Sequence, residues 1–279
     1  MRWFQRTPIR LVLAAVPTVG FIVAMEGVAA PFLGDVVLKL VEAAGVLALY
    51  IGYVRLIERR PVAELRGPGA VSELARGLIL GASLFAATMA VIYLLGGCAI
   101  ERGDAGGALA MFVGAAVAAI TEETLMRAIL FRIVESSLGT WLALLLSAAL
   151  FGVGHAFNPG ATVASTLAIA LEAGVLLAAA LILTRRMWLA FGLHAAWNFT
   201  EGGVFGAAVS GFDHAHGLLR SRFHGNPRIT GGGFGPEASI IAVAICLAAG
   251  CAILALAYRR GRFVAPFWRR PATAASDAV

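Results

Sequence analysis

Residues 108–133 read ALAMFVGAAVAAITEETLMRAILFRI. The apolar residues of this stretch extend over the roughly 20 positions that a helix needs to cross a membrane. Near its middle lie two glutamates and an arginine, Glu122, Glu123 and Arg127. Each ionisable group deep in a bilayer costs about 2.5–3.5 kcal/mol on insertion scales, so such groups usually serve a function. The stretch therefore predicts a membrane-spanning helix that carries a functional polar cluster.

The composition of the whole chain is typical of a membrane protein. Of its 279 residues, 60% are hydrophobic and only 14% are charged, whereas a soluble domain carries about 25% charged residues. The mean hydropathy is +0.86. Too few polar residues are present to cover a soluble surface, so lipid must be the solvent. The net charge of +6 comes from arginines at the ends of apolar runs, which indicates orientation in the bilayer and no nucleic-acid partner.

Counting apolar segments of spanning length predicts an all-α fold, a multi-pass transmembrane helical bundle of about eight helices. The segments lie near residues 11–33, 36–57, 77–99, 108–133, 140–157, 161–184, 188–209 and 238–258. Most of the arginines between them fall on one side when both termini are cytoplasmic, as the positive-inside bias requires. We therefore expect a multi-pass protein of the cell membrane, which is the cytoplasmic membrane if the chain is bacterial.

The polar clusters and the loops divide the chain into four parts. These are three N-terminal transmembrane helices in residues 1–107, a four-span core in 108–209, an outer loop in 210–237, and the last transmembrane helix with a basic cytoplasmic tail in 238–279.

Three further features of the sequence carry expectations of their own. The outer loop 210–237 is a lid, a partner site or a solvated segment, and the solvated interpretation is favoured. Its polar residues include Asp213, His214, His216 and His224. Beyond Pro271 the tail is expected to be disordered. In the second span, Lys39 and Glu42 are spaced to form an ion pair.

Helical spacing separates the roles of the two central glutamates. Glu123 and Arg127 are four residues apart and can pair on one face of a helix. Glu122 points about 100° away from Glu123 and is free to face another helix. Two carboxylates against one guanidinium leave an excess negative charge, which a proton or a cationic partner would balance.

Two further clusters lie on other predicted spans. Phe151 and His155 share a face of the fifth span, and glycines between them allow a helix or a substrate backbone to approach closely. His194 and Asn198 lie one turn apart in the seventh span, where two neutral donors side by side suit a developing oxyanion. Each cluster alone is also compatible with polar contacts that merely pack helices.

Taken together, the clusters provide a set of catalytic groups. Glu122, His155, His194 and Asn198 supply a general base, its partner and an anion-stabilising pair. Measured from the cytoplasmic helix ends, His194 lies about 10 Å deep, Glu122 and Asn198 about 17 Å, and His155 about 23 Å. Helix tilts of 20–40° reduce this spread. Glu172, in the otherwise apolar sixth span, is a further candidate for the same cavity.

In this order, the three motifs resemble those of the CPBP family of intramembrane proteases. That family includes the type II CAAX prenyl endopeptidases and bacterial Abi, bacteriocin-processing and lysostaphin-resistance-like proteins. Its pattern is a Glu-Glu-x-x-x-Arg helix, a Phe-x-x-x-His helix and a His-x-x-x-Asn helix, and all three are intact here. The likeness covers roughly residues 108–205, about a third of the chain.

The resemblance implies a division of roles. Glu122 and His155 would activate a water molecule for attack on a peptide carbonyl, and His194 and Asn198 would stabilise the oxyanion. The supporting residues would be Glu123, Arg127 and Phe151. The family has also been described as metalloproteases, in which case Glu122, His155 and His194 would hold Zn²⁺ with one position open. Because the sequence lacks H-E-x-x-H, we expect no cofactor, with Zn²⁺ as the alternative.

We therefore expect a membrane-embedded endopeptidase that cleaves a hydrophobic or lipid-anchored peptide, with the lipid bilayer as its other partner. One alternative is a non-catalytic membrane scaffold or immunity-type protein of the same family. Another is a transporter, although the sequence has neither an inverted repeat nor a matching pair of broken helices.

Overall fold

The computed structural model describes residues 6–30, 33–213 and 217–269. Within these ranges the chain is a helical bundle with very little strand, which confirms the predicted all-α, multi-pass class. The α-helices are α1 Thr7–Ala24, α2 Asp35–Gly52, α3 Ala70–Leu94, α4 Ala108–Glu123, α5 Arg132–His155, α6 Val163–Ile169, α7 Val175–Thr184, α8 Trp188–Asn198, α9 Pro227–Thr230 and α10 Ile240–Arg259. The strands are β1 Cys98–Arg102 and β2 Leu219–Phe223.

Several helices continue into wider, π-helical turns, and short 3₁₀ turns connect others. The π-helical segments are Met25–Ala29, Tyr53–Ile57, Thr124–Phe131, Ala170–Gly174 and Phe199–Val204. The 3₁₀ turns are Ala63–Leu65, Ala105–Gly107, Pro236–Ala238 and Phe267–Arg269. Such π-helical turns occur frequently at functional sites, and three of these five carry an ionisable residue of the bundle interior.

In the described part of the chain, six helical stretches are long and apolar enough to cross a membrane by length and composition. One of them, Ala105–His155, has 51 residues and contains two of the predicted spans. The seventh predicted span corresponds to the shorter helical run from Trp188 to Val204, which is not among the six. The count of eight spans therefore stays a prediction.

A sharp turn at Gly139 sets the level of the polar groups in this long stretch. Gly139 has φ 77° and ψ 171°, so the helix breaks there and the chain reverses. Glu122 lies 17 residues before the turn and His155 lies 16 residues after it, which places both about 25 Å from Gly139 along antiparallel helices. The unequal depths expected for Glu122 and His155 are wrong because the fourth helix extends to Leu138 instead of ending near residue 133.

Contacts across the bundle bring four segments to the end where Gly139 lies. Thr7, at the start of α1, hydrogen-bonds Ser137. Thr140 N donates to the Val264 carbonyl at 3.0 Å, and Val264 N donates to Thr140 Oγ1 at 2.8 Å. Arg185, in the turn after α7, donates to the Arg262 carbonyl. The start of α1 and the segment after α10 thus share one end of the bundle; the cytoplasmic location of that end stays a prediction, and the tail beyond Arg269 lies outside the described residues.

An arginine cluster around one carboxylate stabilises this end. Glu58 accepts from Arg10 Nη2 at 2.6 Å, from Arg60 Nε at 2.8 Å and from the Tyr53 hydroxyl at 3.1 Å. Arg132 Nη1 lies 2.9 Å from Glu58 Oε2. Burial alone would raise the pKa of Glu58, but the charges and hydrogen bonds of Arg132, Arg10 and Arg60 outweigh it and lower that pKa to about 2.

The opposite end carries a small sheet and an inward-folded loop. Strands β1 and β2 pair antiparallel, from Cys98 with Phe223 to Arg102 with Leu219. Further along the outer loop, Gly211 N donates to the Phe234 carbonyl at 2.7 Å. Phe234 and Glu237 are 1% and 3% exposed, so the expectation of a solvated loop is wrong for this part. The loop histidines His214 and His216 lie outside the described residues.

The turn at Gly139 generates the first prediction. Gly139→Ala should lower the free energy of unfolding by about 1–3 kcal/mol, because a positive φ strains any residue with a Cβ and the added atom would lie 2.7 Å from Pro266 N and 2.8 Å from the Val264 carbonyl oxygen. Thermal unfolding of the detergent-solubilised protein measures this. Gly20→Ala in α1, where a Cβ would meet no atom within 4 Å, is the control. Equal melting temperatures for the two variants would contradict the assigned turn.

The arginine cluster generates the second prediction. Since the pKa of Glu58 is lower in the folded chain than its ordinary value, its contribution to stability is complete above about pH 4.5 and is lost as the pH falls towards 2. Glu58→Gln should therefore cost about 3 kcal/mol at pH 7 and progressively less below pH 4.5. Unfolding followed from pH 7 to pH 3 tests this, and a loss that does not vary with pH would contradict it.

Candidate active site

A buried ion pair lies where α4 passes into its π-helical continuation. Arg127 Nη1 donates to Glu123 Oε1 at 2.8 Å, and neither side chain is exposed at all. A fully buried charge pair requires further hydrogen bonds to offset the loss of hydration. The surroundings of Arg127 provide them.

Arg127 connects α4 to two neighbouring elements. Its Nη2 donates to the carbonyl oxygens of Ala173 and Gly174 at 3.2 and 3.4 Å, both in the π-helical turn between α6 and α7. The guanidinium also stacks over the ring of Phe151 in α5, 4.4 Å from its centroid, a favourable cation–π arrangement. The predicted supporting residues Glu123, Arg127 and Phe151 are thus in one contact network.

Glu123 also fixes the orientation of a histidine on α8. His194 Nδ1 lies 3.1 Å from Glu123 Oε1, and the His194 side chain is 7% exposed. Because a carboxylate accepts hydrogen bonds, Nδ1 carries the proton that it donates. The other ring nitrogen, Nε2, consequently points towards Glu122.

Glu122 lies between the two predicted histidines. Its Oε2 is 3.9 Å from His155 Nε2 and 3.9 Å from His194 Nε2. These separations are too long for direct hydrogen bonds and suit a bridging water. Within the described residues, the buried Oε2 atom has no hydrogen-bond partner in the protein. The structure therefore brings Glu122, His155 and His194 together around one gap.

The tautomer of His155 follows from its contact with its own helix. Its Nδ1 lies 2.8 Å from the carbonyl oxygen of Phe151, an atom that can only accept, so Nδ1 is the donor. In the neutral ring, Nε2 then presents a lone pair to the gap beside Glu122. The ring centroids of Phe151 and His155 are 4.7 Å apart, which further restricts the imidazole.

Asn198 and Glu172 lie close to this gap, on the wall of a small hollow. The hollow has a volume of about 20 Å³. Its polar lining residues are His155, Glu172, His194, Trp197, Asn198, Ser210 and Glu237. Sequence reasoning proposed four of them and missed Trp197, Ser210 and Glu237. Ser210 and Glu237 lie in the glycine-rich outer loop, where an isolated carboxylate between Pro236 and Ala238 was the available signal.

A much larger cavity opens on the other side of the gap. It measures about 1000 Å³ and is lined mainly by one face of α4, with further residues from α2, the end of α5 and the outer loop. Glu122, His155 and Asn198 lie in its wall. Towards the outer end it is bordered by Lys39, which pairs with Glu42 at 3.1 Å, as the spacing of these residues predicts. Lys39 Nζ also donates a hydrogen bond to Glu26.

The potential metal ligands around Glu122 are not arranged to bind a metal ion in this structure. Among the described residues, no group of three or more His, Cys, Asp or Glu side chains is placed to hold a metal ion. Zn²⁺ on Glu122, His155 and His194 would require these side chains to move.

The fold and the site define a class: a multi-pass membrane protein with an enclosed cluster of one carboxylate and two imidazoles. The model of the family Type II CAAX prenyl endopeptidase Rce1-like matches residues 104–200. The matched range contains all three motifs, so the resemblance predicted from them is confirmed. At the level of the family, the match supports a membrane peptidase of CAAX type. No curated protein and no solved structure matches the chain.

The buried ion pair generates the third prediction. Arg127→Met should destabilise the protein by about 3–5 kcal/mol, because it leaves the carboxylate of Glu123 buried without its cationic partner. Thermal unfolding in detergent measures the loss. Arg76→Met, at an exposed position on α3, is the matched control and should unfold like the wild type. If both variants unfold alike, the pair does not stabilise the bundle.

Proposed function

We propose that the protein is an intramembrane endopeptidase that hydrolyses a peptide bond with water activated by Glu122 and His155. The observation that carries the proposal is the equal separation of Glu122 Oε2 from Nε2 of His155 and of His194, 3.9 Å in both cases. A water in that gap can contact all three groups at hydrogen-bonding distance. A nucleophile and the groups that act on it are then within reach of one another.

Two groups are suited to activate this water. The carboxylate of Glu122 is the general base, and His155 orients the water through the lone pair of Nε2, since its Nδ1 is committed to the Phe151 carbonyl at 2.8 Å. Positioned general bases typically contribute factors of about 10²–10⁴ to the rate. The Glu122 side chain is 35% exposed, into the large cavity, so a substrate can reach it.

A second pair is suited to stabilise the oxyanion. Glu122, Glu123 and Arg127 together leave one excess negative charge, which an imidazolium at His194 balances. With its Nδ1 held by Glu123 at 3.1 Å, such a ring presents Nε2–H to the gap. The side-chain amide of Asn198, one turn further along, supplies the other donor. Donors held in place before the charge develops are usually the largest electrostatic contribution to catalysis.

The reaction then balances with groups on these helices alone. The water oxygen bonds to the carbonyl carbon while a water proton passes to Glu122. The tetrahedral oxyanion accepts hydrogen bonds from His194 and Asn198. When it collapses, the carbon–nitrogen bond breaks, and the proton held by Glu122 passes to the leaving nitrogen. Each cycle consumes one water and restores the carboxylate.

The shape of the large cavity supports a hydrophobic or lipid-anchored peptide as substrate. Its volume of about 1000 Å³ corresponds to the upper range of ligand sites. Small and apolar residues of α4 line it, including Ala110, Gly114 and Ala118, and they leave room for an extended segment beside Glu122.

The fourth prediction tests the proposed function directly. Purified wild-type protein in detergent should cleave members of a fluorogenic library of hydrophobic peptides. Glu122→Gln, His155→Ala and His194→Ala should each reduce kcat/KM by about 10²-fold or more, since each removes a group of the water-activating or oxyanion-stabilising set. The melting temperature of every variant is measured in parallel.

Matched controls come from the outer loop and sheet. Glu101→Gln and His224→Ala change exposed residues and should leave cleavage unchanged. Equal cleavage by the wild type and all three site variants would show that any activity lies elsewhere. A biological function that survives Glu122→Ala combined with His155→Ala would instead favour the non-catalytic scaffold. Loss of cleavage on adding a zinc chelator, with recovery on adding Zn²⁺, would favour the metal alternative.

A further inference from the structure

The hollow beside the proposed catalytic groups has the size of a single water molecule. Its volume is about 20 Å³, and a buried water requires a cavity of at least about 10–15 Å³ measured in this way. It lies directly against the large cavity, because Phe151, His155, Asn198 and Ser210 line both.

Two buried polar atoms on residues that line the hollow lack a partner. Glu237 Oε1, an acceptor, and Trp197 Nε1, a donor, have no hydrogen-bond partner among the described residues. Glu237 is 3% exposed and Trp197 is 5% exposed. Buried polar groups in folded proteins are nearly always satisfied by the protein or by ordered water. A water in the hollow would receive a hydrogen bond from the indole and donate one to the carboxyl group.

The remaining lining suits a neutral polar ligand better than an ion. Glu172 and Glu237 both line the hollow, and Glu201 is fully buried close to Glu237. Burial raises the pKa of Glu237, so this carboxyl group can hold a proton. No set of three or more His, Cys, Asp or Glu in the described ranges is arranged to hold a metal ion. Water is the ligand that matches this size and this mixture of donors and acceptors.

Hydrolysis at the edge of the large cavity requires a supply of water. A hydrophobic peptide that fills the cavity displaces the water there, yet each cleavage consumes one water molecule. The hollow adjoins the part of the large cavity where Glu122 lies, because His155 and Asn198 line both spaces.

We propose that the hollow is a binding site for the water that the reaction consumes, held by Glu237 and Trp197 and passed between His155 and Asn198 to the gap beside Glu122. This inference rests on the proposed hydrolase function. It assigns the inward-folded part of the outer loop, through Glu237, a role in supplying water to the site.

An experimental structure of the full chain at high resolution gives the first test. Ordered density in the hollow, within hydrogen-bond distance of Glu237 Oε1 and Trp197 Nε1, is expected in the wild type and should be absent in Glu237→Leu. An empty hollow in the wild type would overturn the proposal, whatever the cleavage assay gives. If the water is present and the wild type cleaves no peptide, the water site stands and the proposed function fails.

Kinetics give the second test and the fifth prediction. Glu237→Leu removes both oxygen atoms at similar side-chain size and should lower kcat about tenfold or more while KM stays within about twofold, because substrate binding is untouched. Glu237→Gln keeps an acceptor and should lose less. The matched control is Glu101→Leu, the same change on the exposed outer strand, which should leave kcat unchanged.

A second variant tests the same site in case Glu237→Leu does not fold. Trp197→Phe removes only the donor side of the site and should also lower kcat with little change in KM. If Glu237→Leu does not fold, as judged by its melting temperature, Trp197→Phe decides the question. Wild-type kcat in every folded variant of this pair would overturn the proposal.

Discussion

The site depends on the buried ion pair between Glu123 and Arg127. In the membrane interior, neither charge is tolerated without the other, and each has further contacts that link separate helices. Arg127 bonds the carbonyls of Ala173 and Gly174 at the junction of α6 and α7 and stacks on Phe151 of α5. Glu123 hydrogen-bonds His194 of α8. One charge pair at the junction of α4 and its π-helical continuation therefore contacts the helices that carry the other proposed catalytic groups.

The three motifs were sufficient to predict which residues meet. Glu122, His155 and His194 surround a single gap because helical spacing fixes the face on which each side chain lies, and the polar groups avoid lipid by facing one another. The pairing of Glu123 with Arg127 and of Lys39 with Glu42 followed from the same spacing.

The levels of these residues along the bundle were not predictable in the same way. The apolar pattern of the fourth span ends near Ile133, but the helix continues because polar residues at its end find partners: Arg132 pairs with Glu58, and Glu135 pairs with Arg185 at 2.5 Å. Such contacts join residues far apart in the sequence and leave no local signal. The inward-folded loop was missed for a similar reason. Glycine-rich segments usually lie in solvent, and the burial of Glu237 depends on packing of its segment against α6, α9 and α10.

The connection between residue 264 and the turn at Gly139 has a consequence for biosynthesis. Val264 accepts a hydrogen bond from Thr140 N and donates one to Thr140 Oγ1. It follows the last long apolar helix. During translation, α4 and α5 enter the membrane well before this segment has left the ribosome. The hairpin of α4 and α5 therefore at first lacks the hydrogen bonds with Val264. The two hydrogen bonds that hold Thr140, directly after the turn at Gly139, can therefore form only after α10 has been synthesised.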